Sequence, residues 1–223
     1  MISRRTAPRA SAGVRRALLA NGPAFHVRSA PVKPARLEAF TDGVVAIVIT
    51  IMVLEFHAPK SGDLAALREE VPIFLAYVLS YVNVGIFWNN HHHMLHVSEH
   101  VNGRVLWANL ALLFWLTLIP FVIRWIDEAG FTPLPTAAYG VVLACAAISY
   151  LILQKQLIAC NGGPDSKLAR ALGSDLKGKL SLGLYLAATA LAFVRPWLAI
   201  TVYVAVSLMW LIPDRRIEVL DPH

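Results

Sequence analysis

Long apolar runs constrain this 223-residue chain more than any other feature of its sequence. A helix of about 20 apolar residues crosses the hydrocarbon core of a bilayer. Six runs approach or reach that length, at about residues 39–57, 72–92, 105–125, 135–158, 179–194 and 196–213. Only 15% of the residues are charged, whereas an ordinary soluble domain has about a quarter. The sequence therefore predicts an all-α, polytopic membrane protein with six transmembrane helices.

Basic residues are divided unevenly between the two sides that these spans define. If the N-terminus is cytoplasmic, sixteen of the twenty Lys and Arg residues lie inside, and only Lys60, Arg68, Arg124 and Arg195 lie outside. Cytoplasmic loops of membrane proteins carry an excess of Lys and Arg. Both termini are therefore predicted to be cytoplasmic.

The chain is predicted to divide into a tail, a membrane domain and a short C-terminal end. Residues 1–35 are basic and are expected to form a disordered cytoplasmic tail, although an Arg-rich, acid-poor transit peptide or an over-extended start site would have the same composition. Residues 36–213 form the six-helix domain, and residues 214–223 a cytoplasmic C-terminal tail. Cys145 and Cys160 lie in or beside apolar runs, so we predict no disulfide framework.

The first span, "RLEAFTDGVVAIVITIMVLEF", contains an aspartate that a simple lipid anchor would not need. A carboxylate in a membrane is tolerated where it meets partners or water. The alternating direction of the spans brings Asp42 level with a set of polar side chains that Arg36 could also reach, namely Trp88, Asn89, Asn90, His91, His92, His93 and Asn109. We expect a polar network centred on Asp42, and favour interhelical hydrogen bonding over a proton relay or an ion ligand.

A second feature of the first span is a narrow stripe along one face. At 100° per residue, this stripe holds one hydroxyl among apolar groups, and its members are Gly43, Ile47, Thr50, Ile51 and Leu54. Asp42 lies on a different face. The residues alone favour helix packing for this stripe, and an intrahelical bond from Thr50 to the carbonyl four residues earlier.

Five histidines cluster at the end of the second span: His91, His92, His93, His96 and His100. Pairs spaced four residues apart can hold a transition metal, but the cluster contains no thiolate and a single carboxylate, Glu99. Metal binding, pH-sensitive hydrogen bonding and a purely structural role all stay open, and we assign no metal site. The sequence has no HExxH motif and no Gly-rich nucleotide loop, so we expect neither an enzyme, a cofactor nor a nucleic-acid partner.

The stretch "RLEAFTDG" has the form Arg-x-x-x-Phe-(Ser/Thr)-Asp-Gly, at Arg36, Phe40, Thr41, Asp42 and Gly43. It resembles the first-helix signature of the transmembrane protein 175 family of potassium channels, in the bacterial single-repeat form. Threonine stands where the family usually has serine. The stretches "FWNNHH" and "NLALLFWLTLIPF" resemble the ends of the family's second and third helices more weakly. The resemblance covers about residues 36–213.

This resemblance implies a homotetramer in the plasma membrane whose first helices line a central pore. It implies an apolar constriction at Ile47, a hydroxyl ring at Thr50 and a second apolar ring at Leu54, with Ile51 on the same stripe. The structural network would comprise Arg36, Phe40, Thr41, Asp42, Trp88, His91, His92 and Asn109. The expected function is passive conduction of monovalent cations, preferably K⁺, through this lipid-embedded pore; the alternative is a proton- or metal-coupled carrier that uses Asp42 and the His91–His100 cluster.

Overall fold

The computed structural model describes residues 33–173 and 175–212, and these residues form helices without a β-strand. The α-helices are α1 (Ala35–Leu54), α2 (Leu64–Glu69), α3 (Val71–His96), α4 (Gly103–Thr117), α5 (Ile119–Ala129), α6 (Pro133–Cys160), α7 (Lys167–Leu172), α8 (Leu176–Ala192) and α9 (Pro196–Leu211), with a 3-10 turn at Gly163–Asp165. The all-α prediction is confirmed. The predicted disordered N-terminal tail, apart from its last three residues, and the predicted C-terminal tail lie outside the described residues.

Four segments are long and apolar enough to cross a membrane: Ala35–Leu54, Val71–His96, Gly103–Ala129 and Pro133–Cys160. They coincide with the first four predicted spans, and the chain is a multi-pass membrane protein. The remaining two predicted spans correspond to α8 and α9, which have 17 and 16 residues. At 1.5 Å per residue these helices are about 25 Å long, slightly less than the hydrocarbon thickness.

The third span is divided in two, which the sequence analysis did not predict. Helix α4 ends at Thr117 and α5 begins at Ile119, and Pro120 occupies the first turn of α5. Proline has no N–H with which to bond the carbonyl one turn earlier, and its ring crowds that carbonyl. The break at Leu118 is therefore the local consequence of Pro120.

Helix α6 is the centre of the bundle, because α4, α5, α8 and α9 all pack against it. Its buried face is rich in small residues, including Gly140, Ala144 and Ala147, which allow neighbouring helices to approach closely. A side chain at Gly140 would collide with the hydroxyls of Tyr203 and Thr189. The close contact between α6 and α9 therefore requires glycine at this position.

Helix α1 lies on one side of the bundle and contacts α3, α4 and α5. One face is buried, and its members are Leu37, Thr41, Val45, Val48 and Met52. Their spacing of three and four residues defines a single face of a helix. The opposite face of α1 has no partner within the described part of the chain.

Candidate functional site

A chain of buried hydrogen bonds joins α1 to α4 and α3 near the start of α1. Asn109 Nδ2 donates to Thr41 Oγ1 at 2.9 Å, and His91 Nε2 lies 2.7 Å from Asn109 Oδ1. Because the amide oxygen can only accept, the His91 ring carries its hydrogen on Nε2. All three residues are at most 1% exposed. Each polar group therefore satisfies the next in a place that water does not reach.

Two further contacts lie beside this chain, on the surface between α1 and α3. Trp88 Nε1 donates to Asp42 Oδ1 at 2.8 Å, and His92 Nδ1 lies 2.8 Å from Glu38 Oε1. The His92 ring stacks on Trp88 with a centroid separation of 5.9 Å. The two carboxylates, one turn apart on α1, thus face two stacked rings of α3. We call the contacts of Glu38, Thr41, Asp42, Trp88, His91, His92 and Asn109 the α1 cluster.

The α1 cluster differs from the predicted network centred on Asp42. Asp42 bonds Trp88, whereas Asn109 and His91 belong to the separate chain that ends at Thr41. The physical reason is rotation about the helix axis: successive residues of α1 point 100° apart, so Thr41 faces α4 and Asp42 faces α3.

Several members of the predicted network lie outside these contacts, namely Arg36, Phe40, Asn89, Asn90 and His93, and one residue of the cluster was not predicted. Arg36 and Phe40 are exposed, with Phe40 at 51% exposure, and the Arg36 side chain makes no hydrogen bond to the described residues. Asn90 donates to Ile86 O within α3. Glu38 was missed. Its position one turn before Asp42, on the same side of α1, was the signal that could have identified it.

The predicted stripe of α1 lies on its exposed face. Ile47 is 58% exposed, Leu54 is 80% exposed, and Thr50 and Ile51 are also exposed. The Thr50 hydroxyl donates to Ile47 O at 2.9 Å, three residues earlier rather than the expected four. The structure therefore brings these side chains to one surface without giving them a packing partner in the described chain.

The residues that follow α1 are joined to α5 by polar contacts. Arg124 pairs with Glu55 at 3.3 Å and, within α5, with Glu128 at 2.9 Å, and His57 Nδ1 lies 2.9 Å from Asp127 Oδ2. A groove of about 550 Å³ separates the Ile47 and Ile51 side of α1 from Phe121 of α5. Helix α1 is thus held near both ends, and this groove runs along its exposed side between them.

A second set of buried polar groups, which the sequence analysis missed, lies in the middle of the bundle. Asn83 Nδ2 donates to Tyr139 Oη at 3.2 Å, and Asn83 Oδ1 accepts from Ser207 Oγ at 3.0 Å and from Tyr185 Oη at 3.4 Å. Ser80 Oγ lies 3.0 Å from Tyr139 Oη. These five residues, at most 3% exposed, form what we call the Asn83 cluster, and they join α3, α6, α8 and α9.

The histidines are distributed between different environments and do not converge. His91 and His92 belong to the α1 cluster, His92 also stacks on His96, and His100 contributes its backbone to a loop contact. Within residues 33–173 and 175–212, no three His, Cys, Asp or Glu side chains are grouped so that they could hold a metal ion.

Comparison with known proteins identifies the family of the chain. Residues 36–120 match the family model described as endosomal/lysosomal potassium channel TMEM175. A potassium channel of Chryseobacterium sp. (strain P1-3) is 49% identical over 183 residues, covering 82% of this chain and 95% of the relative. This chain belongs to the TMEM175 family.

Two other TMEM175-family relatives extend the comparison. The crystal structure of a lysosomal potassium-selective channel TMEM175 homolog from Chamaesiphon minutus matches with a TM-score of 0.71 at 26% identity, covering 80% of this chain and 96% of that chain. The Homo sapiens endosomal/lysosomal proton channel TMEM175 is 40% identical over 97 residues, which are 38% of this chain and 19% of the human protein.

The part of the chain that matches the family model includes every residue of the α1 cluster and the whole α1 stripe. Of the Asn83 cluster, only Ser80 and Asn83 lie within it, while Tyr139, Tyr185 and Ser207 lie beyond residue 120. The part of the chain that matches the family model thus contains every contact of the α1 cluster.

Proposed function

We propose that this TMEM175-family chain is a potassium-preferring cation channel in which four copies place α1 around a central pore. The observation that carries the proposal is the asymmetry of α1: one face is packed against the bundle, while Ile47, Thr50 and Leu54 stand on the exposed face. A face of this kind on a helix that is anchored at both ends is suited to line a shared axis. The bacterial relatives are named potassium channels, which supports the potassium preference.

The chemistry of the stripe is consistent with conduction controlled by an apolar constriction. A narrow ring of four Ile47 side chains would exclude water and so raise the barrier to an ion, and a small widening would rehydrate it. The Thr50 hydroxyl gives its hydrogen to Ile47 O, which leaves its oxygen lone pairs free to face a cation. Four such oxygens would replace part of the hydration shell of K⁺, and Leu54 would form a second apolar ring.

The complete topology that we propose has six membrane crossings, with both termini on the cytoplasmic side of the plasma membrane. Helices α8 and α9 are close to the lower length limit for spanning, but Ala192 and Pro196 are joined by only three residues, as in a hairpin at a membrane surface. The two helices pack closely on each other and on α6. The distribution of Lys and Arg supports the orientation.

We assign the α1 cluster a structural role in this channel. In its buried chain, Thr41, Asn109 and His91 bond to one another on the packed side of α1, away from the exposed stripe. A buried polar contact between helices fixes their rotation and register, since slipping would leave its members without partners in an apolar medium. The cluster would therefore orient α1 so that Ile47 faces the axis. Arg36 and Phe40 are exposed in the single chain, so they would join this network only through contacts with a neighbouring subunit of the tetramer.

The alternative function is a proton- or metal-coupled carrier that uses Asp42 and the His91–His100 cluster. The human relative is described as a proton channel. That description is a reason to consider proton movement here, but it names a channel and not a coupled carrier. His91 and His92 are engaged by Asn109 and Glu38, and the described residues offer no group suited to a metal. The geometry therefore favours the passive channel.

A flux measurement on the purified protein in liposomes tests the proposal. Ile47→Asn should raise the potassium current and reduce the preference for K⁺ over Na⁺, since each 1.4 kcal/mol removed from the barrier speeds passage about tenfold. The matched control is Ile148→Asn, because Ile148 of α6 is also exposed, at 41%, but lies on another helix. Unchanged bi-ionic K⁺/Na⁺ currents in Ile47→Asn would show that Ile47 does not line the pore.

A carrier would give a different set of results in the same liposomes. Its transport would saturate, would depend on a proton or metal gradient, and would be lost when His93 or His96, which lie outside the α1 cluster, is replaced by alanine. A channel should instead retain its flux in these variants.

A further inference from the structure

A groove between α4 and α6 opens at the end of the bundle where α4 begins. Its volume is about 730 Å³. The lining residues come from the first turns of α4 and the last turns of α6, and they are Asn102, Gly103, Arg104, Trp107, Ala108, Ile152 and Gln156. The groove lies away from the exposed stripe of α1 and plays no part in the conduction mechanism proposed above.

The walls of this groove are held in place by one asparagine. Asn161, which directly follows α6, accepts from the backbone N–H groups of Glu99 and His100 at 2.8 and 2.9 Å, and its Nδ2 donates to His100 O at 3.0 Å. Asn102 caps α4 by accepting from the N–H groups of Arg104 and Val105. The start of α4 is thereby fixed beside the end of α6, so the groove exists before any ligand arrives.

The groove combines basic, aromatic, amide and apolar side chains. Arg104 is exposed and has no ion pair with another described residue, and Trp107 is 75% exposed. The half-buried Gln156 contributes an amide, while Ile152 and Ala108 supply an apolar wall. None of the lining residues is acidic. Lys155, adjacent to Gln156, is exposed on α6 and adds a second positive charge nearby.

We propose that this groove binds an anionic phospholipid, with the headgroup phosphate at Arg104 and Gln156 and an acyl chain along Ile152 and Ala108. The guanidinium fork matches two phosphate oxygens. Tryptophan concentrates at the level of the lipid headgroups, where Trp107 would lie, one turn into α4. Basic pockets between membrane helices on the cytoplasmic side are suited to anionic headgroups, and the start of α4 is on the predicted cytoplasmic side.

Lipid retention by the full-length protein tests this site. The protein is equilibrated with vesicles of equal parts phosphatidylglycerol and phosphatidylcholine, purified in detergent, and the two lipids that remain bound are quantified by mass spectrometry. The wild type should retain phosphatidylglycerol preferentially. Arg104→Gln should lower the ratio of phosphatidylglycerol to phosphatidylcholine about fivefold, as expected for one basic side chain at a membrane surface, and Arg104→Lys should retain most of the preference.

The matched control is Arg68→Gln, which removes an exposed arginine from α2 at the opposite end of the bundle and should leave the ratio unchanged. Equal ratios in Arg104→Gln and Arg68→Gln would overturn the proposal. Release of phosphatidylglycerol by inorganic phosphate, but not by chloride at the same ionic strength, would instead assign the groove to a soluble phosphate and overturn the lipid assignment. Because Arg104 lies outside the proposed pore, Arg104→Gln should keep normal potassium flux while it loses the preference for phosphatidylglycerol.

Discussion

Two asparagines hold this chain together at different depths and for different purposes. Asn109 joins α1 to α3 and α4 near one end of the helices, beside a helix with one face exposed. Asn83 lies in mid-span and joins α3 to three helices of the second half of the bundle. The α1 cluster therefore orients one helix, whereas the Asn83 cluster holds four helices of the bundle together. Because α3 carries residues of both, it connects the two regions.

The largest effect on stability is expected from Asn83→Leu. The substitution leaves the hydroxyls of Tyr139, Tyr185 and Ser207 without their amide partner, and a buried unsatisfied polar group costs about 1–3 kcal/mol. We expect the free energy of unfolding to fall by about 2–3 kcal/mol in total, since bonds between membrane helices are weak on average. In a thermal scan in detergent this corresponds to a Tm lower by roughly 5–10 °C.

Asn89→Leu is the matched control for this prediction. Asn89 lies on the same helix but is exposed, so its replacement should change Tm little. If Asn83→Leu were as stable as Asn89→Leu, the Asn83 cluster would not be the tie that we describe.

A smaller and more local effect is expected from Asn109→Leu. This change breaks two buried bonds, to Thr41 and His91, and should cost about 1–2 kcal/mol. Its distinctive result should be faster hydrogen exchange along α1, because α1 loses its buried polar contact with α4. Asn83→Leu should instead speed exchange in α8 and α9. Identical exchange patterns in the two variants would contradict the division into an orienting cluster and a scaffold cluster.

The smallest change in thermal stability is expected from Asp42→Ala. Its bond to Trp88 is exposed in the single chain, and exposed polar contacts contribute about 1 kcal/mol or less. We nevertheless expect a lower tetramer yield on a sizing column, since α1 loses one of the contacts that set its rotation. Permeation through the tetramers that form should change little.

Trp88→Phe provides the comparison for Asp42→Ala, because it removes the same hydrogen bond while keeping an aromatic ring. Both variants should lower the yield to a similar extent. A normal tetramer yield with altered ion selectivity in Asp42→Ala would mean that the carboxylate acts on the ion rather than on the helix.

The sequence predicted most residues of the α1 cluster, but not which of them bond to one another. The depth of a residue in the membrane could be predicted near the helix ends, because the polar loops and the direction of each span indicate which ends lie at the same level. Depth does not fix rotation, so Asp42 was predicted at the centre of contacts that the structure divides between Thr41 and Asp42. Glu38 was not predicted as a member; it lies one residue before the predicted start of the first span at about residue 39.

The contacts of the Asn83 cluster could not be predicted from the sequence. Asn83 and Ser80 are single polar residues inside an apolar run, and their partners Tyr139, Tyr185 and Ser207 come from three other helices, 56 to 124 residues away along the chain from Asn83. No local pattern relates residues at such distances. The break caused by Pro120, in contrast, had a local signal, the proline itself.

The sequence by itself determined that the chain is helical, that it crosses a membrane several times, and that its first helix carries the signature of the TMEM175 family. These properties depend on run length, composition and short motifs, which are local quantities. Only the tertiary structure decided which side of α1 is buried, which polar groups are paired, and how a groove forms between α4 and α6. The physical reason is that the rotation of each helix about its own axis is set by packing and hydrogen bonds with distant parts of the chain.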